Sequence, residues 1–431
     1  MTAADTNSTE TLRTADGMPL KQALASAQAR NRRRAFFLVL PLLLFILVTF
    51  VAPIAQLLLR SANNDGFVST KDFDTNISTP IMTNLAQWFD ENPKGAEIDE
   101  SAYAALAADR VGLKEERAAG QAGTRINYEL SGSRSLFTKT ARRADKIEPP
   151  YKEAIIDIDE DWDDPKLWSV MRSASNAWTD SFYLSAIDRV RNVEGDVEMV
   201  NENRQIYVTL FKRTLFLSLL VTFFTFVLAY PVAHLLATLP LAKSNLLMIF
   251  VLLPFWTSLL VRTTSWMILL QSQGVVNDAL VGMGILGDEN RIQMMYNQTG
   301  TVIAMTHILL PFMILPLYSV MRPINPSYVR AARSLGATSW TAFRRIYFPQ
   351  TVPGIAAGAL LVFILAVGYY ITPALVGGAD GQLISNLIAF HMQKSLNWSL
   401  AAALAALLLA GILALYWVYD RLIGIDNLKL G

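Results

Sequence analysis

The chain has 431 residues, of which 52% are hydrophobic and only 17% charged, where a soluble chain of this length carries roughly a quarter charged residues. The 37 Lys and Arg against 36 Asp and Glu leave a net charge of +1, which gives no electrostatic case for a nucleic-acid partner. With no Cys, disulfides and thiolate metal sites are excluded.

The charge deficit is uneven. Residues 1–34 read as a polar, disordered tail ending in Arg30, Arg32, Arg33 and Arg34. Ala35 to Leu59 then contains no charged side chain, enough for a helix across a bilayer core of about 30 Å. A cleaved signal peptide is the alternative reading, since "FVAPIA" loosely resembles a cleavage site. The apolar stretch and the tail before it are too long for one, so an uncleaved span is expected.

Residues 60–205 form a polar insert that holds most of the acidic residues. Within it, "SAYAALAADRVGL" and "DPKLWSVMRSASNAW" have the pattern of amphipathic helices, the second opening at Asp164-Pro165. The acidic run from Asp157 to Asp164 invites a calcium loop, but Trp162 and Trp168 stand where Gly and Glu are required. It is expected to be a solvated acidic loop with no metal.

Five more apolar runs follow, over Thr214–Leu239, Asn245–Leu270 (interrupted by Arg262), Thr301–Val320, Val352–Thr372 and Ser399–Val418. The expected fold is therefore an all-α integral membrane protein with six transmembrane helices, embedded in a lipid bilayer. Lys and Arg in short loops set the orientation. The N-terminal arginines, Lys243, the loop carrying Arg322, Arg330, Arg333, Arg344 and Arg345, and Arg421 with Lys429 all fall on one side. That side is expected to be the cytoplasm, with both termini there and the insert outside. The short outer loops carry only Arg291 and Lys394.

The loop 322–349 is the most informative segment. Asn325 can cap a helix whose first turn accepts Pro326, Gly336 can end it, and Thr338 or Ser339 can start a second short helix before Pro349. Small residues (Ala331, Ala332) allow close approach by another protein, and Arg330 and Arg333 can pair with its acidic groups.

Here the chain resembles the permease subunits of bacterial type I ABC importers, over roughly Tyr207 to Ile423 plus the first span. Their hallmark loop has an acidic residue, two alanines, a Gly after three more residues, and later an Ile and a Leu-Pro. This chain has Ala331-Ala332, Gly336, Ile346 and Phe348-Pro349 at the same spacing. Arg330 replaces the acidic residue and Phe348 the Leu. The resemblance implies a coupling helix seated in a cleft of a separate ATPase dimer. Ala331, Ala332 and Gly336 would be its close-packing positions, with Ile346 and Pro349 shaping the exit. It also implies 206–424 as the permease core, 425–431 as a cytoplasmic tail, a second and non-identical permease subunit, an external solute-binding protein and the inner membrane of a bacterium. No cofactor is called for: there is no phosphate-binding loop, and hydrolysis belongs to the partner.

"LPFWTSLLVRTTSWMILLQSQGVVND" (Leu253 to Asp278) and "GYYITPALVGG" (Gly368 to Gly378) resemble the spermidine/putrescine permease branch. Trp256, Trp266, Tyr369 and Tyr370 are candidates to line a path for organic cations, because aromatic faces attract ammonium groups. They also suit a headgroup-level belt. Arg262, a charge within a span, is a gate, a structural pair or a snorkelling residue. Asp278 either meets the ligand or ends its helix, and His234 and His307 are expected to hydrogen-bond between helices. Three alternatives carry less. A permease for another solute shares every feature above. An ion-driven secondary transporter would need carboxylates within the spans, which have none. A membrane-anchored sensor would need an output domain that the short tail does not supply.

Overall fold

The computed structural model describes residues 20–64, 66–71, 78–115 and 118–423. The chain divides into two units, Met1–Leu59 and Arg60–Gly431.

The first unit is helical from Leu20. Helix Leu20–Ile46 passes through a π-turn, Leu47–Val51, into helix Ala52–Arg60. Together Gln28–Arg60 is long and apolar enough to cross a membrane. Residues 20–34 are thus helical rather than disordered, and residues 1–19 lie outside the described residues.

The second unit begins with the insert. Helices Thr83–Glu91, Glu100–Glu115, Ala118–Asn127, Ser133–Arg142, Tyr151–Ile156 and Pro165–Ser175 enclose a core of Phe67, Met82, Leu85, Tyr103, Phe137, Trp162 and Met171. Both expected helices are present. Asp164 opens the second by accepting the Lys166 N–H at 2.8 Å, with Pro165 in its first turn, where a missing N–H costs nothing. Two small antiparallel hairpins, Ser69–Lys71 with Ser78–Pro80 and Arg189–Arg191 with Val197–Met199, add a little sheet to an otherwise helical chain. The acidic run is more than a solvated loop. Trp162 in its middle is buried, its Nε1–H donating to Thr140 Oγ1 and its carbonyl accepting from Tyr103 and Trp168. Asp159 binds Lys139 at 2.7 Å. Among the described residues no cluster of acidic or His side chains could hold a metal ion.

The insert is seated on the helices that follow it. Phe182 and Ala186 of helix Ser181–Ala186 pack with Ile384, Leu400, Ala403 and Leu404. Asp188, at φ 57° in the left-handed region that Asp tolerates, turns its buried carboxylate onto the N–H groups of Ile206, Tyr207 and Val208. It thereby caps the helix Tyr207–Thr238, whose own N-cap, Ile206, has no side chain for the task.

The membrane part centres on helix Gln298–Met321, which packs between Tyr207–Thr238 and Phe348–Gly368. Small and hydroxyl residues make the buried faces. Thr214, Ser218, Thr222 and Thr225 run along one side of Tyr207–Thr238 while Phe216, Leu219, Phe223 and Leu228 face outward. At Gly358 the chains are so close that a Cβ would lie 2.6 Å from Met313 Sδ.

Two expected spans differ from what forms. The apolar run Asn245–Leu270 is a pair of helices, Leu241–Trp256 and Leu259–Gly282, bent by 96°. Pro254 sits in a 3-10 turn, and Thr257 and Ser258 are both extended, so helical hydrogen bonding stops between the halves. Neither 12-residue helix of this pair, Leu241–Leu252 or Leu259–Leu270, reaches the roughly 20 residues a crossing needs. Among the described residues, five helices are therefore long and apolar enough to cross, or six with the bent pair counted as one span. The fifth span ends at Gly368, not Thr372, and Tyr369-Tyr370 is a break before helix Ile371–Val376. Helix Ile384–Gln393 was not expected, and Trp398–Ile423 closes the described chain.

Candidate functional site

The loop 322–349 folds as its residues dictate. Asn325 Oδ1 accepts the Ser327 N–H at 2.9 Å and opens helix Ser327–Ser334. Gly336, at φ 90°, ends it: its N–H bonds Arg333 O and the Ala337 N–H bonds Ala332 O, the paired bonds of a Schellman cap. Thr338 then caps helix Ser339–Ala342 through the Thr341 N–H. That second helix does not stop before Pro349. It passes through a π-turn, Phe343–Tyr347, directly into Phe348–Gly368, so Ser339–Gly368 is one continuous helical run. Pro349 has no N–H to give Arg345 O, which is where the turn widens.

The first helix is bare. Arg330, Ala331, Arg333 and Gly336 are exposed, Ala332 and Ile346 are half-buried, and Pro349 is exposed. Leu335 is 89% and Trp340 68% exposed, an apolar surface beside the arginines. The loop carries five arginines and no acidic residue from Arg322 to Gln350. One of them, Arg322, is spent on structure, donating at 2.8 Å to the carbonyls of Ala237 and Leu239 at the end of Tyr207–Thr238.

The second candidate cluster lies beyond the bend. Trp266 Nε1–H donates to His307 Nδ1 at 3.0 Å, and Thr263 and Thr372 hydroxyls meet at 3.2 Å. Arg262 is half-buried, and its Nε has no hydrogen-bond partner among the described residues. The Tyr369 and Tyr370 carbonyls, freed by the helix break, accept from Ser385 Oγ at 2.6 Å and Asn386 Nδ2 at 2.7 Å. An apolar hollow of about 310 Å³ opens beside the bend, lined by Leu235, Phe250, Pro254, His307 and Pro311. A larger cleft, about 820 Å³, lies in the insert between Trp168, Trp178 and the 192–195 turn. Its arginines are already committed, Arg191 to Asp180 and Arg172 to the carbonyls of Phe89 and Asn92.

Residues 212–423 match the family model described as "Binding-protein-dependent transport system inner membrane component". The spermidine/putrescine transport system permease protein PotB of Escherichia coli strain K12 is 35% identical over 221 residues, covering 51% of this chain and 80% of that protein. This chain belongs to that family. The Haemophilus influenzae PotB is 34% identical over 225 residues, covering 52% and 78%. The inner membrane ABC transporter permease protein YdcU of E. coli is 31% identical over 222 residues, covering 49% and 70%. A solved bacterial alginate ABC transporter in complex with an alginate-bound periplasmic protein matches with a TM-score of 0.44 at 22% identity, over 52% of this chain and 80% of that one.

The chain is thus a multi-pass permease of an ABC importer, a transport subunit and not an enzyme. The matched region takes in the loop and all the helices from the second span on, while the first span and the insert lie outside it. Within the permease, the structure joins Trp266 to His307, and Tyr369 and Tyr370 to Ser385 and Asn386. Tyr370 is exposed next to them. Trp256 stands apart at the bend, 76% exposed. Asp278 lies in the helix Val275–Gly282, where it pairs with Arg291 at 2.7 Å. Both expected histidine bonds form between helices, His234 with Tyr347 and His307 with Trp266. Ser385 and Asn386 had no sequence signal, because their role appears only once the Tyr369-Tyr370 break exists.

Proposed function

We propose that this permease imports polyamines or related small organic cations as half of a translocation pathway, driven through the 322–349 loop by a separate ATPase dimer. The loop carries the reading. A basic, exposed helix–turn–helix is joined without interruption to a membrane helix, so a push on its surface has a covalent route into the membrane. Ala331, Ala332 and Leu335 would seat in the ATPase, with Arg330 and Arg333 facing its acidic groups. Gly336 sets the turn between the two loop helices, and Ile346 and Pro349 lie on the exit toward span five. A loop that meets an ATPase lies in the cytoplasm, as do both termini. The insert, Arg291 and Lys394 then lie in the periplasm, where a solute-binding protein delivers its cargo, and a second, non-identical permease completes the path.

The solute class rests on the names of the relatives and on the aromatic groups near the Tyr369 break. Each ring face can contribute about 0.5–2 kcal/mol toward an ammonium group. One observation favours a second reading. Arg262 has no ion pair among the described residues, and an unneutralised cation beside the path suits a solute bearing an anionic group.

Proteoliposomes holding the permease, its partner subunits and ATP should accumulate labelled spermidine or putrescine, and excess unlabelled polyamine should compete. Uptake of an anionic solute instead, untouched by polyamine, would establish the second reading. Gly336→Val, which forces a branched side chain to φ 90°, should reduce copurification with the ATPase and with it ATP-driven uptake. Unchanged copurification would remove the loop from the mechanism.

A further inference from the structure

The second loop helix is continuous with span five, but span two is a separate helix, and a displacement of the loop would need a lateral link to reach it. Side chains supply one. Trp340, exposed at the tip, stacks on Phe343 with centroids 5.7 Å apart, and Phe343 stacks on Tyr347 at 5.9 Å. Phe343 meets Tyr230 and His234 of span two edge-on, at interplanar angles of 89° and 86°. The Tyr347 hydroxyl and His234 Nδ1 are 3.0 Å apart, and the Tyr230 hydroxyl reaches Thr351 Oγ1 at 3.2 Å. All of this surrounds the π-turn Phe343–Tyr347, a widened turn of the kind found frequently at functional sites.

We propose that these rings are a transmission ladder, by which displacement of the loop reaches span two as well as span five, and that the Tyr347–His234 hydrogen bond is the rung that fixes its register. This rests on the coupling reading above. Stacked rings resist compression but slide easily, since offset and edge-on arrangements differ little in energy. A directional bond between a nearly buried hydroxyl and an imidazole does not slide. Without it the loop still seats in its partner, but span two lags behind. Tyr347 and His234 are positioning residues: neither is placed at the solute path.

The test uses the full chain with its partner subunits in proteoliposomes, measuring uptake and ATP hydrolysis in the same vesicles. Tyr347→Phe keeps the ring and removes the hydroxyl, and His234→Leu removes the nitrogen. Both should assemble and hydrolyse ATP within about twofold of the parent, while solute moved per ATP falls about tenfold, the worth of one ordinary hydrogen bond. His234→Gln, which restores a polar partner, should recover part of that ratio. Parental uptake per ATP in both Tyr347→Phe and His234→Leu overturns the ladder. So does a loss of assembly in step with uptake, which would mean a purely structural role. Gly336→Val separates the two readings. If it assembles normally, the coupling reading fails; if it does not, while the rung variants behave as the parent, only the ladder fails.

Discussion

The insert and the membrane bundle solve the same packing problem in opposite ways. The insert hides its large side chains: Trp162, Tyr103, Phe67 and Phe137 are almost fully buried, while charged groups such as Glu160, Asp161 and Lys166 cover the outside. The bundle buries Thr214, Ser218, Ala229, Ala233, Gly354 and Gly358 and turns Phe216, Phe223 and Leu228 outward. In water, burying rings is itself the driving force. In lipid the tails are as apolar as Leu, so helices gain only from close approach and shared hydrogen bonds. One chain thus records two solvents, and the seam between them is Asp188.

The largest effect should come from cutting into the insert's core. Trp162→Ala removes a ring, the Thr140 bond and the packing against Phe137, at about 3–5 kcal/mol. Limited proteolysis should then cleave the insert while the 298–368 helices stay protected; equal loss of both would mean the two regions fold as one. The bundle should fail through the opposite change. Gly358→Val adds volume against Met313 and should cost about 1–3 kcal/mol by prising apart the two central helices, seen as a lower melting temperature in detergent. Gly358→Ala should be milder, because the Met313 side chain can give.

At the seam, Asp188→Ala strips an acceptor from three N–H groups and should cost about 1–2 kcal/mol, read as faster hydrogen exchange at residues 206–208. Asp188→Asn keeps an acceptor and suits φ 57°, so it should recover most of the protection. The smallest effect is a pH response. The Arg191 guanidinium holds the Asp180 carboxyl below the usual carboxylate range. A depressed acid stabilises the fold above its ordinary pKa and loses that contribution as pH falls through the lowered value. The 189–199 hairpin should therefore loosen slightly on acidification below about pH 4, the ordinary Asp range. The pair is exposed, so the change should be a few tenths of a kcal/mol. Hydrogen exchange in the hairpin should lose this pH dependence in Asp180→Asn.

Much of the architecture was legible because a bilayer imposes a length. Uncharged runs of some 20 residues announce themselves, and so do Asn325-Pro326, Gly336 and Thr338 as caps and stops. The 96° bend was hidden for the same reason: Leu253, Pro254, Phe255 and Trp256 are as apolar as a span, and only Pro254 hinted that hydrogen bonding stops there. The loop was read in outline but not its continuity with span five, since Pro349 looks like a terminator and is instead absorbed by a π-turn. Asp188, acting across 18 to 20 residues, and Ser385 with Asn386, acting on the Tyr369-Tyr370 break, depend on tertiary approach. No local pattern encodes such contacts. Arg262 stands out in the sequence as a charge within an apolar run, yet its neighbours cannot be named from spacing.

The bend has a further meaning. Thr257 and Ser258 are extended, and backbone of that kind cannot face acyl chains, because nothing there answers its amides and carbonyls. In a permease, such a kink is a signpost: it marks where oil must give way to water or to a neighbouring chain. Of everything in this subunit, that elbow is the part least able to exist alone.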